Sequence, residues 1–162
     1  MQNKIRIVYI ESKYISYLQK FDSKVMYNKG QTRPYIGILF EVNGLKYFAP
    51  LSHPKEKFKN MRNSETFMKI KNGEYGAINF NNMIPARENC THILNTSNIL
   101  DKKYKLIVLN QLAFFDKNYK QIIAKAEKLY RLSSENKLRQ SVKQICCDFR
   151  LLESKAQLYK NN

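Results

Sequence analysis

The chain has 162 residues, 43% of them hydrophobic, and its 29 lysines and arginines outnumber 13 aspartates and glutamates to give a net charge of +16. This length and apolar content predict one globular domain, residues 1–162, with a core of its own. No apolar run reaches the roughly 18 residues of a membrane span and no signal-peptide core follows Met1, so we expect a cytoplasmic protein.

The positive charge predicts a polyanionic partner, and nucleic acid is the first candidate. Residues 1–99 hold 15 bases and 7 acids, and residues 100–162 hold 14 and 6, so each part carries +8 and the excess is not a basic tail. Eleven tyrosines and nine phenylalanines accompany the charge. Most of these rings are expected in the core, but some suit a surface that binds phosphates and stacks unpaired bases.

The cysteines and histidines do not indicate a metal site. Cys90, Cys146 and Cys147 have no metal-ligand spacing, and an adjacent pair is a poor candidate for an ordinary disulfide, so all three are expected as reduced thiols. With only His53 and His92 as imidazoles, we expect no zinc and no other cofactor.

The first elements are a strand and a short helix. Lys4–Ile10 alternates as a strand does, and Ser12 is a candidate N-cap for a helix that reaches Phe21. Residues 22–32 follow as a polar loop.

A β-hairpin comes next and leads into a polar loop. Tyr35–Val42 and Leu45–Ala49 are β-branched and aromatic runs on either side of Asn43-Gly44, which is typical of a type I′ turn. The second strand leads into Pro50–Lys55, where two prolines limit the conformations of a loop that carries a hydroxyl, an imidazole and an ammonium group. Such a loop is a candidate binding site.

A second hairpin is predicted over Thr66–Ile70 and Tyr75–Asn79, followed by short strand pieces at Met83–Pro85 and Thr91–Leu94.

From Asp101 onward the apolar period becomes helical. The stripes are Tyr104–Phe115 after an N-cap at Asp101, Ile122–Tyr130, and Phe149–Leu158 after Asp148. Strands early and helices late predict an α+β fold in which the helices pack on the sheet.

The order of several motifs resembles the ToxN/AbiQ family of endoribonuclease toxins. The motifs are SKYI near the start, RPYIGI, KYFAPLSHPK, Gly-x-Ile-Asn at Gly76–Asn79, MIP after it, and Phe-x-Leu-Leu-Glu at Phe149–Glu153. The resemblance covers most of the chain and implies a compact antiparallel, partly barrel-like sheet similar to MazF-like toxins, with added helices that are mainly C-terminal.

The resemblance also implies a function in type III toxin–antitoxin and phage abortive-infection systems. The expected protein is a metal-independent endoribonuclease that cuts messenger RNA. Its antitoxin is a small pseudoknot RNA, which the toxin cuts from a tandem-repeat transcript and which inhibits it. Toxin and RNA are expected to form cyclic or other hetero-oligomers.

Five residues match positions of the family's site. Lys55 matches the loop lysine, which would stabilise the charged phosphorane, and Ser52 a hydroxyl that can donate to a non-bridging oxygen. Arg33 stands where a basic residue precedes the hairpin and can bind a phosphate with two nitrogens. Tyr14 matches a tyrosine that would orient or stack the nucleotide, and Tyr35 an aromatic position beside it.

His53 departs from the family pattern, which has serine before the second proline. A histidine can serve as general acid or base. The alternatives are a contact to a base, a plain surface position, or a weakened enzyme. His92 is expected to be structural.

Further cations near the loop are candidates for contact with RNA, with a solvated surface as the alternative. They are Lys29, Lys57, Lys59, Arg62 and Arg87. A non-catalytic RNA-binding regulator remains the main rival function. A DNA-binding modulator ranks last because no groove-reading motif is visible.

Overall fold

The computed structural model describes residues 4–28, 30 and 32–160. Eight strands form one antiparallel sheet in the order β5-β6-β4-β2-β1-β8, with β3 and β7 also paired to β4. The strands are β1 Arg6–Ile10, β2 Tyr35–Gly37, β3 Glu41–Val42, β4 Leu45–Ser52, β5 Phe67–Lys69, β6 Ala77–Asn79, β7 Ile84–Ala86 and β8 Thr91–Ile93.

Five α-helices accompany the sheet in the described part of the chain, and four of them follow the last strand. They are α1 Ser12–Gln19, α2 Lys102–Lys117, α3 Tyr119–Ser134, α4 Gln140–Lys143 and α5 Phe149–Leu158. The predicted α+β fold with mainly C-terminal helices is therefore confirmed. Within the described part of the chain, no helix combines the length and apolarity needed to cross a bilayer.

Strand β4 organises the sheet because it has different partners along its length. Its first half pairs with β3 and with β7, where Lys46 lies opposite Ala86. Its second half pairs with β2 and β6, so that Ser52 lies opposite Ala77. One strand thus joins two halves of the sheet and delivers its last residue, Ser52, to one end.

The first predicted hairpin forms with an interruption. Residues 38–40 lie outside any strand, although the amide of Leu39 still donates to the Tyr47 carbonyl at 3.0 Å. At the turn, Asn43 and Gly44 have φ values of 50° and 82°. Both values are positive, as the predicted type I′ turn requires.

The aromatic core joins the helices to β4. The fully buried ring of Tyr47 lies 5.3 Å from the ring of Tyr130 on α3 and 6.0 Å from that of Phe149 on α5. Its hydroxyl donates to the Glu153 carboxylate. Burial, with that hydrogen bond, raises the pKa of Tyr47 far above its usual range. These contacts fix the helices against the sheet.

The helix ends were predicted with mixed success. Asp101 and Asp148 cap α2 and α5 as predicted, because their carboxylates accept backbone amides of the first turn. The prediction for Ser12 was wrong: Glu11 is the N-cap residue and Ser12 is already helical. The four-residue helix α4 was not predicted, since one turn carries no readable period.

Candidate active site

The SHPK loop, residues 52–55, starts where β4 leaves the sheet. Tyr35 lies opposite Pro50, and the amide of Leu51 donates to the Pro34 carbonyl at 2.9 Å. Continuing this register by one more residue places Arg33 opposite Ser52. The fold therefore brings Arg33 to the loop that follows β4.

Strand β6 supports Ser52 from the other side. The side chain of Asn79 donates to Ser52 Oγ at 2.8 Å and lies 3.4 Å from the Pro50 carbonyl oxygen. Gly76 has φ +97°, and a Cβ on it would lie 2.1 Å from the Ser52 carbonyl oxygen. Only glycine fits this approach, which explains the first residue of the Gly-x-Ile-Asn motif.

A short 3₁₀ turn, Glu56–Lys59, holds the far end of the SHPK loop. The amide of Phe58 donates to the Lys55 carbonyl at 3.0 Å, and the buried Phe58 ring lies 5.4 Å from that of Phe67. Lys55 is exposed, with Nζ 5.9 Å from the centre of the Phe58 ring. A buried anchor thus positions an accessible ammonium group.

The guanidinium of Arg33 is partly fixed by its own loop. Its Nε donates to the Tyr27 carbonyl at 2.9 Å, and Arg33 is half-buried. Tyr27 itself is 69% exposed. This ring was not predicted as part of the site, although a tyrosine in a loop predicted to be polar is the signal that points to it.

His53 is exposed between Ser52 and Pro54, so its imidazole is accessible to a ligand. His92 lies elsewhere, on β8, with Nε2 3.2 Å from the Glu11 carboxylate. Within the residues that the structure describes, no group of three metal-ligating side chains comes together.

Tyr14 and Tyr35 lie in the core, and this differs from the roles expected for them. Tyr14 is 1% exposed, and its hydroxyl donates to the Pro85 carbonyl. Tyr35 is 0% exposed, and its hydroxyl has no partner among the described residues. Burial raises the pKa of both hydroxyls well above the usual range, although Arg33 opposes the rise at Tyr35. Neither ring is accessible to a nucleotide in this conformation.

The predicted RNA-contacting cations divide into two groups. Lys57, Lys59 and Arg62 are exposed just after the SHPK loop, and Lys59 pairs with Glu56 at 2.9 Å. Arg87 follows β7, beside the start of β4, and donates to the Gln157 carbonyl at 3.1 Å. It therefore does not flank the loop, because β4 separates the two places by about 20 Å. Lys29 lies outside the described residues.

A groove of about 940 Å³ lies at the opposite end of β4 from the SHPK loop. Three cations from two strands and the chain before them line it, namely Lys4, Arg6 and Lys46. Ile38 and Ile93, which are 37% and 59% exposed, add apolar surface. This groove was not predicted from the sequence, since its walls are far apart in the chain.

Comparison with known proteins decides the family. A family model described as toxin ToxN of type III toxin–antitoxin systems matches residues 6–157. The chain belongs to this family. The endoribonuclease ToxN of Bacillus thuringiensis subsp. kurstaki is 35% identical over 159 residues, 93% of this chain and 82% of that protein. The endoribonuclease AbiQ of Lactococcus lactis subsp. lactis is 32% identical over 167 residues, 96% of this chain and 89% of that protein.

A solved structure agrees with the sequence relatives. It is 32% identical, covers 99% of this chain and 100% of its own, and has a TM-score of 0.85. It comes from work on selective toxin inhibition by a non-coding RNA pseudoknot in type III systems. The ToxN/AbiQ family and the enzyme class predicted from the sequence, an endoribonuclease, are confirmed.

Proposed function

We propose that this member of the ToxN family cleaves RNA at the SHPK loop through the RNA's own 2′-hydroxyl. The 2′-oxygen attacks the neighbouring phosphorus, and the bond from phosphorus to the 5′-oxygen breaks. A base takes the 2′-proton and an acid protonates the leaving oxygen, so the products are a 2′,3′-cyclic phosphate and a 5′-hydroxyl. The observation that carries this proposal is the accessible Lys55 ammonium on a loop that follows β4 directly after Leu51, whose amide donates to the carbonyl of Pro34 beside Arg33.

Arg33 and the polar groups of the loop each have a role in that reaction. The Lys55 ammonium stabilises the charge that develops on the phosphorane, and Ser52 donates to a non-bridging oxygen. Arg33 binds a phosphate beside them. His53, as general acid or base, moves one of the two protons. The nucleophile belongs to the substrate and side chains supply the positive charge, so the reaction requires no metal ion.

The path of the RNA follows from exposure and charge. Tyr27 takes over the stacking role expected of Tyr14, because its ring is accessible and its carbonyl accepts from Arg33. The groove with Lys4, Arg6 and Lys46, about 20 Å away at the other end of β4, offers a second surface for phosphates. Lys57, Lys59 and Arg62 contact phosphates on the other side of the loop.

The proposed partners are messenger RNA as target and a pseudoknot RNA as antitoxin. The toxin cuts the antitoxin from a tandem-repeat transcript and forms a closed toxin–RNA oligomer with it in the cytoplasm. The net charge of +16 and the inhibitory pseudoknot of the similar solved toxin support this assignment.

The test uses pure protein and end-labelled RNA in EDTA. We expect cleavage, a 2′,3′-cyclic phosphate on one product, and no cleavage at a scissile nucleotide that carries a single 2′-deoxy substitution. Cleavage that persists at the deoxy position would overturn the mechanism. Tight binding without any cleavage would favour a non-catalytic RNA-binding regulator instead.

A further inference from the structure

Asn79 makes a side-chain contact that strand pairing does not require. Backbone pairs already hold β6 against β4, with Leu51 opposite Ile78 and Ser52 opposite Ala77. The Asn79 side chain adds the 2.8 Å bond to Ser52 Oγ, within a half-buried pair of residues. This shorter bond acts on the serine hydroxyl itself, which the backbone pairs do not reach.

The neighbouring carbonyl fixes which end of the amide faces the serine. The same Asn79 nitrogen lies 3.4 Å from the Pro50 carbonyl oxygen, which can only accept. A reversed amide would place its own oxygen against that carbonyl oxygen and lose the bond. The NH₂ group therefore faces both oxygens, and Ser52 Oγ is the acceptor.

This direction determines where the Ser52 proton points. With a lone pair occupied by Asn79, the hydroxyl hydrogen is turned away from β6 and is available to a ligand at the exposed loop. We propose that Asn79 is a positioning residue, which holds the Ser52 hydroxyl as a donor aimed at the non-bridging oxygen of the scissile phosphate. This inference rests on the proposed function.

The experiment is a double-mutant cycle on the full chain. Single-turnover cleavage of a labelled RNA is measured for Asn79→Ala, Ser52→Ala and the double variant. We expect Asn79→Ala to lower the cleavage rate about tenfold, with RNA affinity changed less than about twofold. The hydrogen bond from Ser52 to the non-bridging oxygen has ordinary strength, and its loss is felt mainly in the transition state, where the charge on that oxygen develops. In the Ser52→Ala background, the same change has no further effect.

Asn79→Asp is a second variant that tests the direction of the Ser52 hydroxyl. A carboxylate only accepts, so it would turn the Ser52 hydrogen toward β6 and away from the RNA. We expect a larger loss than for Asn79→Ala, and a smaller one when Ser52 is alanine, where only the repulsion between the new carboxylate and the phosphate remains. Asn110→Ala is the matched control, because Asn110 is also half-buried and donates at 2.8 Å, but to the Leu106 carbonyl on α2.

A sulfur substitution gives a readout that a structural role would not change. Sulfur accepts hydrogen bonds weakly, so a phosphorothioate at the scissile position should slow the unmutated protein and the Asn110→Ala control by the same factor. We expect the phosphorothioate to slow Asn79→Ala by a smaller factor, because the Ser52 hydroxyl is no longer held toward the non-bridging atom.

Three results would overturn the inference. They are an equal loss in both backgrounds, a fall in thermal stability with unchanged cleavage by the folded protein, and wild-type cleavage by Ser52→Ala. The proposed function would survive each of them if the unmutated protein still yields the cyclic phosphate. A failure of the proposed function itself would appear as absent or different product ends.

Discussion

The SHPK loop and the tyrosine pair Tyr14 and Tyr35 were both predicted from the sequence as parts of the site, but they differ in access to solvent. His53 and Lys55 on the loop are exposed, whereas the two tyrosines are 1% and 0% exposed. The loop offers a free ammonium group. The tyrosine hydroxyls are held in the core at raised pKa.

The contrast in exposure distinguishes residues that can contact the substrate from residues that support the site from the core. A side chain that touches the substrate must reach the surface, and the loop does so because Phe58 is the buried anchor beneath it. A buried tyrosine instead contributes to the strands and helices that carry the loop. Substitutions in the two regions should therefore change different quantities.

The largest effect is expected at Lys55. Lys55→Ala should lower the cleavage rate about 10²- to 10³-fold without loss of folded protein, because a preorganised cation is removed from the developing charge. Rates of RNA cleavage and a urea unfolding curve measure both quantities. Lys57→Ala on the same turn should weaken RNA binding and leave the rate at saturating RNA unchanged. A fully active Lys55→Ala would contradict the loop as the centre of catalysis.

A smaller effect is expected at His53. His53→Ala should reduce the rate about 10²-fold, the lower end of what general acid–base catalysis contributes. Added imidazole should restore part of the rate. His53→Ser, which introduces the serine expected from the family resemblance, tests whether a hydroxyl can replace the ring. Equal activity of the alanine variant and the unmutated protein would show that His53 is a surface residue.

Substitutions of Tyr14 and Tyr35 should change the free energy of unfolding and leave the cleavage rate of the folded protein unchanged. Tyr14→Phe removes the donor to the Pro85 carbonyl, and we expect it to cost about 1–3 kcal/mol of the free energy of unfolding. Tyr35→Phe removes a hydroxyl that has no partner among the described residues, so the free energy of unfolding should stay the same or rise. Urea unfolding and the cleavage rate per folded molecule test both. A stable Tyr14→Phe with a strongly reduced rate would return Tyr14 to the site.

The smallest effect is expected for chemical labelling of the cysteines, which lie in the same core as the two tyrosines. Burial raises the pKa of the Cys146 thiol to about 11 and that of Cys147 further, and Cys90 is raised in the same direction. At pH 8 the thiols are therefore protonated as well as buried, and the thiolate is the reactive form. Iodoacetamide should label the native protein slowly and the urea-unfolded protein at all three cysteines, as mass spectrometry can measure. Rapid native labelling would show an accessible interior.

Local patterns predicted the fold well where they depend on neighbours in the chain. The Asn43-Gly44 turn and the caps at Asp101 and Asp148 are such cases. The interruption at residues 38–40 was not predicted, because the run from Tyr35 to Val42 looks continuous in sequence.

The site was harder to predict because burial and register are not local. Helical spacing places Tyr14 on the apolar face of α1 but does not tell whether that face meets the core or a ligand. Arg87 seemed close to the loop until the pairing of β4 with β7 placed it near Lys46. Asn79 was recognised as part of a motif, but its bond to Ser52 spans 27 residues and needed the sheet.

The dependence of Ser52 on β6 also has a consequence during translation. Gly76 and Asn79 are added to the chain more than twenty residues after Ser52, and both must leave the ribosome before they can contact it. A nascent chain that stops before residue 79 lacks these supports. The loop is therefore completed no earlier than the second half of synthesis, and products that stop before residue 79 would be poor nucleases.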